Sequence, residues 1–575
     1  MLESADGDAA LLAAWERRVR RALENLGWPV AAIAAIPHAT GASLAFAAPP
    51  DQLFTATEVN EWALAASLFE SDPSREAELL AALAVEQPDA PEPPMLEEGP
   101  ALVKLRARAA AEAKPQLRAL LDAAASRSLP CLMDDEILTI GAGAGGSSWP
   151  LSRLPLPGDI PWPELHAIPV ALVTGTNGKT TVVRLIAACA RAAGWKTGHS
   201  CTDGLYVDDT SIQAGDYSGP DGARVVLRDR RIEAAVLETA RGGILRRGLA
   251  IPRVTVAVIT GISADHFGEY GVHDLDAIAD VKLAVARAID EAGQLVVNAD
   301  DPLLSAKAPA TGRPLAWFAL DANHERLIAH RRRGGATCGV VDGRLLLSIG
   351  GREHELGSIA ALPITAGGLA TFNVANLAAA ALAAAALGIA PGTVAAVFAR
   401  FGANPDDNPG RLMRYELGGL QLVIDFAHNP VALAKLLELA GGLRRGRLAL
   451  LLGQAGNRRD TDMEQLARAA AASHPDFVII KELASHLRGR GEGEVPAVLR
   501  LALARAGLPE AAIQEQPDEI SAVRAALAWA RPGDVLALPV HTRVGRTDAL
   551  ALLRRLSRSG WCAGEPLPAE ARTAP

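Results

Sequence analysis

VALVTGTNGKTT, residues Val170–Thr181, is the stretch on which the fold of this 575-residue chain turns. Its apolar start, Val170-Ala171-Leu172-Val173, predicts a short buried strand. Gly175 and Gly178 then predict a tight turn, and Thr180 to Ile186 opens a helix. Glycines at such a turn let backbone N–H groups close around an anion with no Cβ in the way, and the helix N-terminus favours negative charge. Lys179 adds a cation for the outer phosphates, and the Thr180 hydroxyl suits Mg²⁺. Only two residues separate Gly175 from Gly178, fewer than the four of the usual phosphate-loop pattern. The reading is a nucleoside triphosphate site formed by Gly175, Thr176, Asn177, Gly178, Lys179, Thr180 and Thr181.

Composition narrows the rest. The length predicts three or four domains at about 150 residues each. A hydrophobic share of 49% supplies large cores, and a net charge of -9 provides no electrostatic footprint for nucleic acid. The five cysteines (Cys131, Cys189, Cys201, Cys338, Cys562) lie far apart with no CxxC pair, which argues against a disulfide framework and fits a reducing compartment. The opening MLESADGDAALLAAWERR lacks the pattern of a signal peptide. No apolar run reaches membrane-spanning length, and Leu377–Leu387 reads as a buried helix. The expectation is a cytoplasmic protein with no membrane partner.

Before the phosphate loop, helical spacing covers Ala9–Leu26, Thr57–Phe69 and Leu102–Ser126, with a strand-like stretch at Val30–Ala48. Pro-rich connectors fall at Glu86–Pro100 and Leu154–Pro163. From Ile168 to about Arg400 strands and helices alternate, as in a mainly parallel sheet. Strands at Ala234–Leu237, Val254–Ile259 and Gln294–Val297 each run into polar residues: Glu238, then Ser263-Ala-Asp-His266, then Asn298-Ala-Asp-Asp301. Ligands bind at the carboxyl ends of such strands. Glu238 and His266 are candidates to complete a Mg²⁺ site with Thr180, since Mg²⁺ takes few protein ligands. A turn-rich hinge, Asn404–Arg411, leads to a second α/β unit with strands at Leu420–Asp425, Leu448–Leu452, Phe477–Ile480 and Val535–Leu538. Polar clusters again follow strands, around Asp425 and His428, Gln454 to Asp460, and Arg488 to Glu494.

The set GTNGKTT, LETARGGILRRGL, SADHFGEYGV, VKLAVARAI, NADDP, NPGR, DFAHNP and RGRGEGE, in that order from about Leu172 onward, resembles the Mur ligases. LETARGGILR with CTDGLY and GDYSGP is similar to their cyanophycin-synthetase branch, as are AASRSLP (Ala124–Pro130) and LTIGAGAG (Leu138–Gly145) in the opening region. The resemblance implies a central P-loop parallel-sheet ATPase domain (164–403) and a C-terminal Rossmann-like α/β domain (404–575). A mixed α+β, cyanophycin-synthetase-like region (1–163) would precede them. Gly141–Gly145 runs through a short linker into the Mur-like module, with no stretch for the ATP-grasp domain of that branch. One ligase chemistry rather than two is expected.

By the same resemblance, ATP and Mg²⁺ serve to activate a carboxylate as an acyl phosphate, which an amino acid or amine then displaces. Lys179, His266 and Lys282 would be catalytic, and Thr180, Glu238, His266 and Lys282 (as a carbamate) would hold metal. Asn298 would face adenine, Asp425 and Arg411 would hold ribose and phosphates, and His428 would shape their loop. Arg241, Asn457, Arg488, Arg490 and Glu494 would meet the substrates, an acidic peptide or side-chain carboxylate and an amine. A homo-oligomer is expected from the resemblance. Gly261, Phe426 and Asn457 depart from the branch's usual asparagine, tyrosine and aspartate, and the last bears on substrate identity. Two other readings remain: a cell-wall or folate-type ligase of the superfamily, and a non-catalytic ATP-binding partner of a full-length synthetase.

Overall fold

The computed structural model describes residues 5–38, 41–86, 94–264, 267 and 272–568. The chain forms two compact units. One comprises Met1–Gly141, Gly146–Ala167 and Phe267–Ala277, and the other Ala142–Gly145, Ile168–His266 and Ile278–Pro575, as far as these residues are described.

In the first unit, helices Ala5–Leu26, Leu53–Ser71 and Glu98–Glu112 pack around Trp15, Val19, Leu23, Val59, Trp62 and Leu105. A hairpin, Ile33–His38 with Gly41–Phe46, lies beside them. The continuous helix predicted over Leu102–Ser126 is instead two helices, Glu98–Glu112 and Pro115–Ser126. Pro115 disfavours a helical Lys114 before it and suits the first position of a new helix, so the chain breaks there. A three-stranded antiparallel sheet, Cys131–Met133, Ile137–Ile140 and Ser147–Pro150, completes the unit.

The second unit holds two sheets. The larger has eleven strands, and in spatial order these are Arg352–Ser358, Arg344–Ile349, Thr337–Val341, Leu315–Asp321, Ile289–Asn298, Val254–Ile259, Val170–Thr174, Ala234–Glu238, Thr197–Cys201, Gly204–Val207 and Thr210–Ala214. Pairing is parallel from Thr337–Val341 across to Thr197–Cys201, and antiparallel hairpins extend both edges. The register sets Val173 beside Glu238 and Thr174 beside Ile259, so the three strand ends are level. Val170–Thr174 is buried throughout, as the apolar run requires of a central strand. Helices Lys179–Ala192 and Thr371–Ala386 contribute to the core over this sheet. In the second, Ala378–Ala381 and Ala383–Ala384 are fully buried, and such small side chains allow close helix–sheet approach.

The smaller sheet has six strands in the order Met413–Leu417, Leu420–Asp425, Val535–Pro539, Leu448–Leu452, Phe477–Lys481, Ile513–Gln516. Only its first pair is antiparallel. The outer strands Met413–Leu417 and Ile513–Gln516 escaped the sequence reading. Both are short, and MRYEL and IQEQ carry charges that mask strand alternation.

Candidate active site

Gly175 (φ +141°) and Gly178 (φ +86°) shape the loop between strand Val170–Thr174 and helix Lys179–Ala192. A Cβ at 175 would stand 1.9 Å from Thr260 Oγ1, and one at 178 would stand 2.3 Å from Asn376 Oδ1. Neighbours therefore occupy the space that side chains would need, leaving a backbone cradle. The Thr176 amide donates to the Gly261 carbonyl at 2.9 Å, and Thr260 Oγ1 donates to the Asn177 carbonyl at 2.5 Å. The turn at Gly261 is thereby tied directly to the loop. Lys179 Nζ folds back on the Thr176 carbonyl at 3.1 Å.

The Thr180 hydroxyl donates to Glu238 Oε2 at 2.8 Å, joining the helix start to the end of the neighbouring strand. Thr202 secures the same carboxylate, its Oγ1 donating to Oε1 at 2.8 Å and its amide to Oε2 at 3.2 Å. Glu238 is 1% exposed. A hydroxyl and a carboxylate beside this backbone cradle form a hard oxygen donor set, a chemistry that fits Mg²⁺, whose remaining ligands are commonly phosphate oxygens and water. Among the described residues no group of three or more His, Cys, Asp or Glu side chains is gathered as a metal cage. His266 lies outside the described residues. Lys282 is buried on helix Leu275–Leu283, and its Nζ donates to the Gly175 carbonyl at 2.7 Å. Asn298, at its strand end, donates from Nδ2 to the Thr260 carbonyl at 3.3 Å and accepts from the Asp300 amide at 3.0 Å.

Residues of the C-terminal fold converge on this loop. Arg411 Nη2 reaches Thr180 Oγ1 at 3.4 Å, with its guanidinium 4.1 Å from the Phe426 ring centroid. Asp425 accepts from the amides of Leu412 and Ala427, each at 2.8 Å, and so fixes the segment that carries Arg411. Burial pushes the Asp425 carboxyl up, while Arg411 and these amides pull it down, and burial prevails. His428 Nδ1 lies 3.0 Å from the Phe426 carbonyl. Asn429 Nδ2 donates to Asn177 Oδ1 at 2.9 Å, and its Oδ1 caps helix Pro430–Leu443 through the Ala432 amide. Asn408 Nδ2 donates to Thr181 Oγ1 at 3.2 Å.

Behind the loop, Arg184 donates to Asp203 Oδ2 at 2.8 Å and Arg546 donates to Oδ1 at 2.7 Å. Burial raises the Asp203 carboxyl, but Arg411, Arg184 and Arg546 more than offset it, and the group is held down to about 2.

The five expected substrate residues are placed differently from one another. Arg241 is buried at the start of helix Arg241–Arg247. Arg488, exposed and left-handed at φ +44°, donates to Asn457 Oδ1 at 3.3 Å, so these two meet. Arg490 braces the adjoining loop through the carbonyls of Gly456 and Arg458 and the carboxylate of Asp460. Glu494 is exposed at the head of helix Glu494–Arg505. The sequence reading missed Thr202, Asp203, Arg184, Asn429 and Arg546 as site residues. CTDGLY and DFAHNP flagged three of these positions, but nothing local shows which distant side chain each would meet.

The sequence matches the Mur ligase middle domain over residues 173–384 and the Mur ligase glutamate ligase domain over 410–538. It is 34% identical over 389 residues to cyanophycin synthetase of Trichormus variabilis, covering 68% of this chain and 43% of that protein. It is 30% identical over 427 residues to UDP-N-acetylmuramoyl-L-alanyl-D-glutamate--2,6-diaminopimelate ligase of Xanthomonas campestris pv. campestris, covering 68% of this chain and 81% of that one. The match thus spans less than half the length of the cyanophycin synthetase. Among solved structures, E. coli FolC in complex with DHPP and ADP is similar in fold, with a TM-score of 0.52 at 20% identity over 67% of this chain and 89% of that one.

Proposed function

This chain belongs to the Mur ligase family, and on that premise we propose that it is an ATP-dependent amide ligase joining a carboxylate to an amino acid or amine. The observation that carries the reading is the meeting of the phosphate loop, the Thr180–Glu238 pair and Arg411 from the second fold.

In the proposed reaction a substrate carboxylate oxygen attacks the γ-phosphorus of ATP and ADP leaves. The amine then attacks the acyl carbon, inorganic phosphate leaves and a proton is released. Charge accumulates between two anions during the first step, so fixed cations and N–H donors supply most of the catalysis. Gly175 to Thr181 would cradle the phosphates, and Lys179 would turn from the Thr176 carbonyl toward them. Arg411 would add a second cation from the facing fold. Mg²⁺, held by Thr180, Glu238 and His266, would supply further charge neutralisation, with Lys282 as a carbamate holding a second ion. Asn298 would meet adenine, while Asp425 and His428 would order the ribose loop.

Arg241, Asn457, Arg488, Arg490 and Glu494 are the proposed substrate contacts. The substrate class we favour is an acidic peptide or side-chain carboxylate with an amino acid, as the cyanophycin-like motifs imply. Domain limits at 163/164 and 403/404 are proposed alongside, since the two family matches fall on either side of the second. Among the described residues no helix is long and apolar enough to cross a membrane, and we propose a cytoplasmic location.

The test is phosphate release from ATP and Mg²⁺ with short β-aspartyl or polyaspartate peptides and each amino acid in turn, with mass spectrometry of products. Turnover that needs both a peptide and one amine, with the matching mass gain, is expected, and Lys179→Ala should abolish it. ATP binding without turnover on any pair would overturn the ligase reading in favour of a binding partner.

A further inference from the structure

Asp203 follows strand Thr197–Cys201 of the eleven-stranded sheet, and its carboxylate gathers guanidinium groups from three places in the chain. Arg184 comes from the helix that begins at the phosphate loop, and Arg546 from helix Arg543–Ser559 of the C-terminal fold. Arg411 Nη2, from the turn before the C-terminal sheet, stands 4.0 Å from Asp203 Oδ2. The side chains of Arg184, Asp203 and Arg546 are 6%, 10% and 8% exposed. Space for this approach is made at Gly410, where φ is +72° and a Cβ would stand 2.1 Å from Arg546 Nη1. Arg184 also donates to Asn408 Oδ1 at 3.0 Å and to the Pro409 carbonyl at 2.9 Å, the two residues that lead into Gly410 and Arg411.

We propose that Asp203 is a positioning residue for the ligation: by holding Arg184 and Arg546 on opposite oxygens it seats the C-terminal fold so that Arg411 reaches Thr180 at the phosphate loop. The inference rests on the ligase reading above.

Three guanidinium groups repel one another, and a buried arrangement of them persists only with an anion among them. Asp203 is that anion, and it is the one member of the cluster whose removal leaves every cation in place. Without it the repulsion is relieved by separating the C-terminal fold from the central sheet and letting water in. Arg411 would then leave Thr180. Affinity for ATP would fall in part, because Arg411 and the Asp425 loop belong to the C-terminal fold, and stabilisation of the transferring phosphoryl group by Arg411 would be lost as well. Such a change lowers kcat by more than it weakens nucleotide binding, since the loop keeps its own contacts to the phosphates.

The experiment compares Asp203→Asn and Asp203→Glu with the wild-type full chain in three measurements: kcat, ATP dissociation constant and amide hydrogen exchange. Asp203→Asn should lower kcat by about tenfold or more, with a smaller loss of ATP affinity. Exchange should rise across Asn408–Leu412 and the first turn of Arg543–Ser559. Asp203→Glu should recover part of both. Arg546→Met approaches the contact from the other fold; it should reproduce the loss and add little when combined with Asp203→Asn, as coupled partners do. Wild-type kcat and exchange in Asp203→Asn would overturn the proposal, and so would full additivity in the double variant. Should the wild-type chain ligate nothing, the ligase reading falls, and the exchange measurements alone still decide whether Asp203 seats Arg411.

Discussion

A methyl group at position 175 would stand 1.9 Å from Thr260 Oγ1, in a backbone conformation that side chains avoid. Thr260 cannot retreat freely, because its hydroxyl is bonded to the Asn177 carbonyl at 2.5 Å. Gly175→Ala should therefore distort the loop and lower ATP-dependent phosphate release by about 10²-fold, with secondary structure by circular dichroism unchanged. His199 presents the opposite case, a titratable group with no visible part in the chemistry. It stacks on Tyr206 with ring centroids 4.6 Å apart, and its buried Nδ1 has no hydrogen-bond partner among the described residues. Burial, helped by Arg184 and Arg191, pushes its pKa down from 6.5 to about 3. The unfolded chain therefore binds a proton that the fold refuses, and stability falls as pH drops from 6.5 toward about 3. The slope is about 1.4 kcal/mol per pH unit for this one group. His199→Phe keeps the stack and removes the titration, so denaturant unfolding between about pH 6 and 4 should show a shallower loss by that amount.

At the scale of elements, helix Leu53–Ser71 has no side-chain cap from its own N-cap residue, Gln52. The cap comes from another helix: Glu112, ending Glu98–Glu112, accepts from the Phe54 amide at 2.8 Å and from the Thr55 amide and hydroxyl at 2.8 and 2.7 Å. A carboxylate also suits the positive end of a helix. Glu112→Ala should destabilise the first unit by about 1 kcal/mol, read as faster hydrogen exchange in the first turn of Leu53–Ser71. The break at Pro115 was open to sequence reasoning, because proline restricts the residue before it. The cap from Glu112 was not, since 57 or 58 positions separate its partners.

For the second unit as a whole, both folds contribute to the Gly175–Thr181 loop, the proposed nucleotide site: Asn429 on Asn177, Asn408 on Thr181, Arg411 on Thr180. A ligand that binds this assembled loop and not the unfolded chain must stabilise both folds together. ATP with Mg²⁺ at 100 times its dissociation constant should add about 2.7 kcal/mol, with a matching rise in Tm. Lys179→Ala should lose most of that rise. A nucleotide-induced Tm shift confined to the central fold, with the C-terminal fold melting independently, would contradict the coupling.

Local pattern alone determined the glycine turn after Val170–Thr174, the alternation of strands and helices that follows it, and the polar residues at strand ends. These follow from short-range rules: an apolar run buries, glycine turns and a lysine follows. The pairing of Thr180 with Glu238 was also within reach, because parallel strands of one sheet carry their carboxyl ends to a common edge. The tertiary structure decided the rest. That Glu238 is also held by Thr202, that Arg490 braces its own loop, and that Asp203 sits among arginines from two folds are consequences of packing across up to 343 positions of chain. A carboxylate's partners depend on which cations the fold brings within a few ångströms, and no periodicity in the sequence records that.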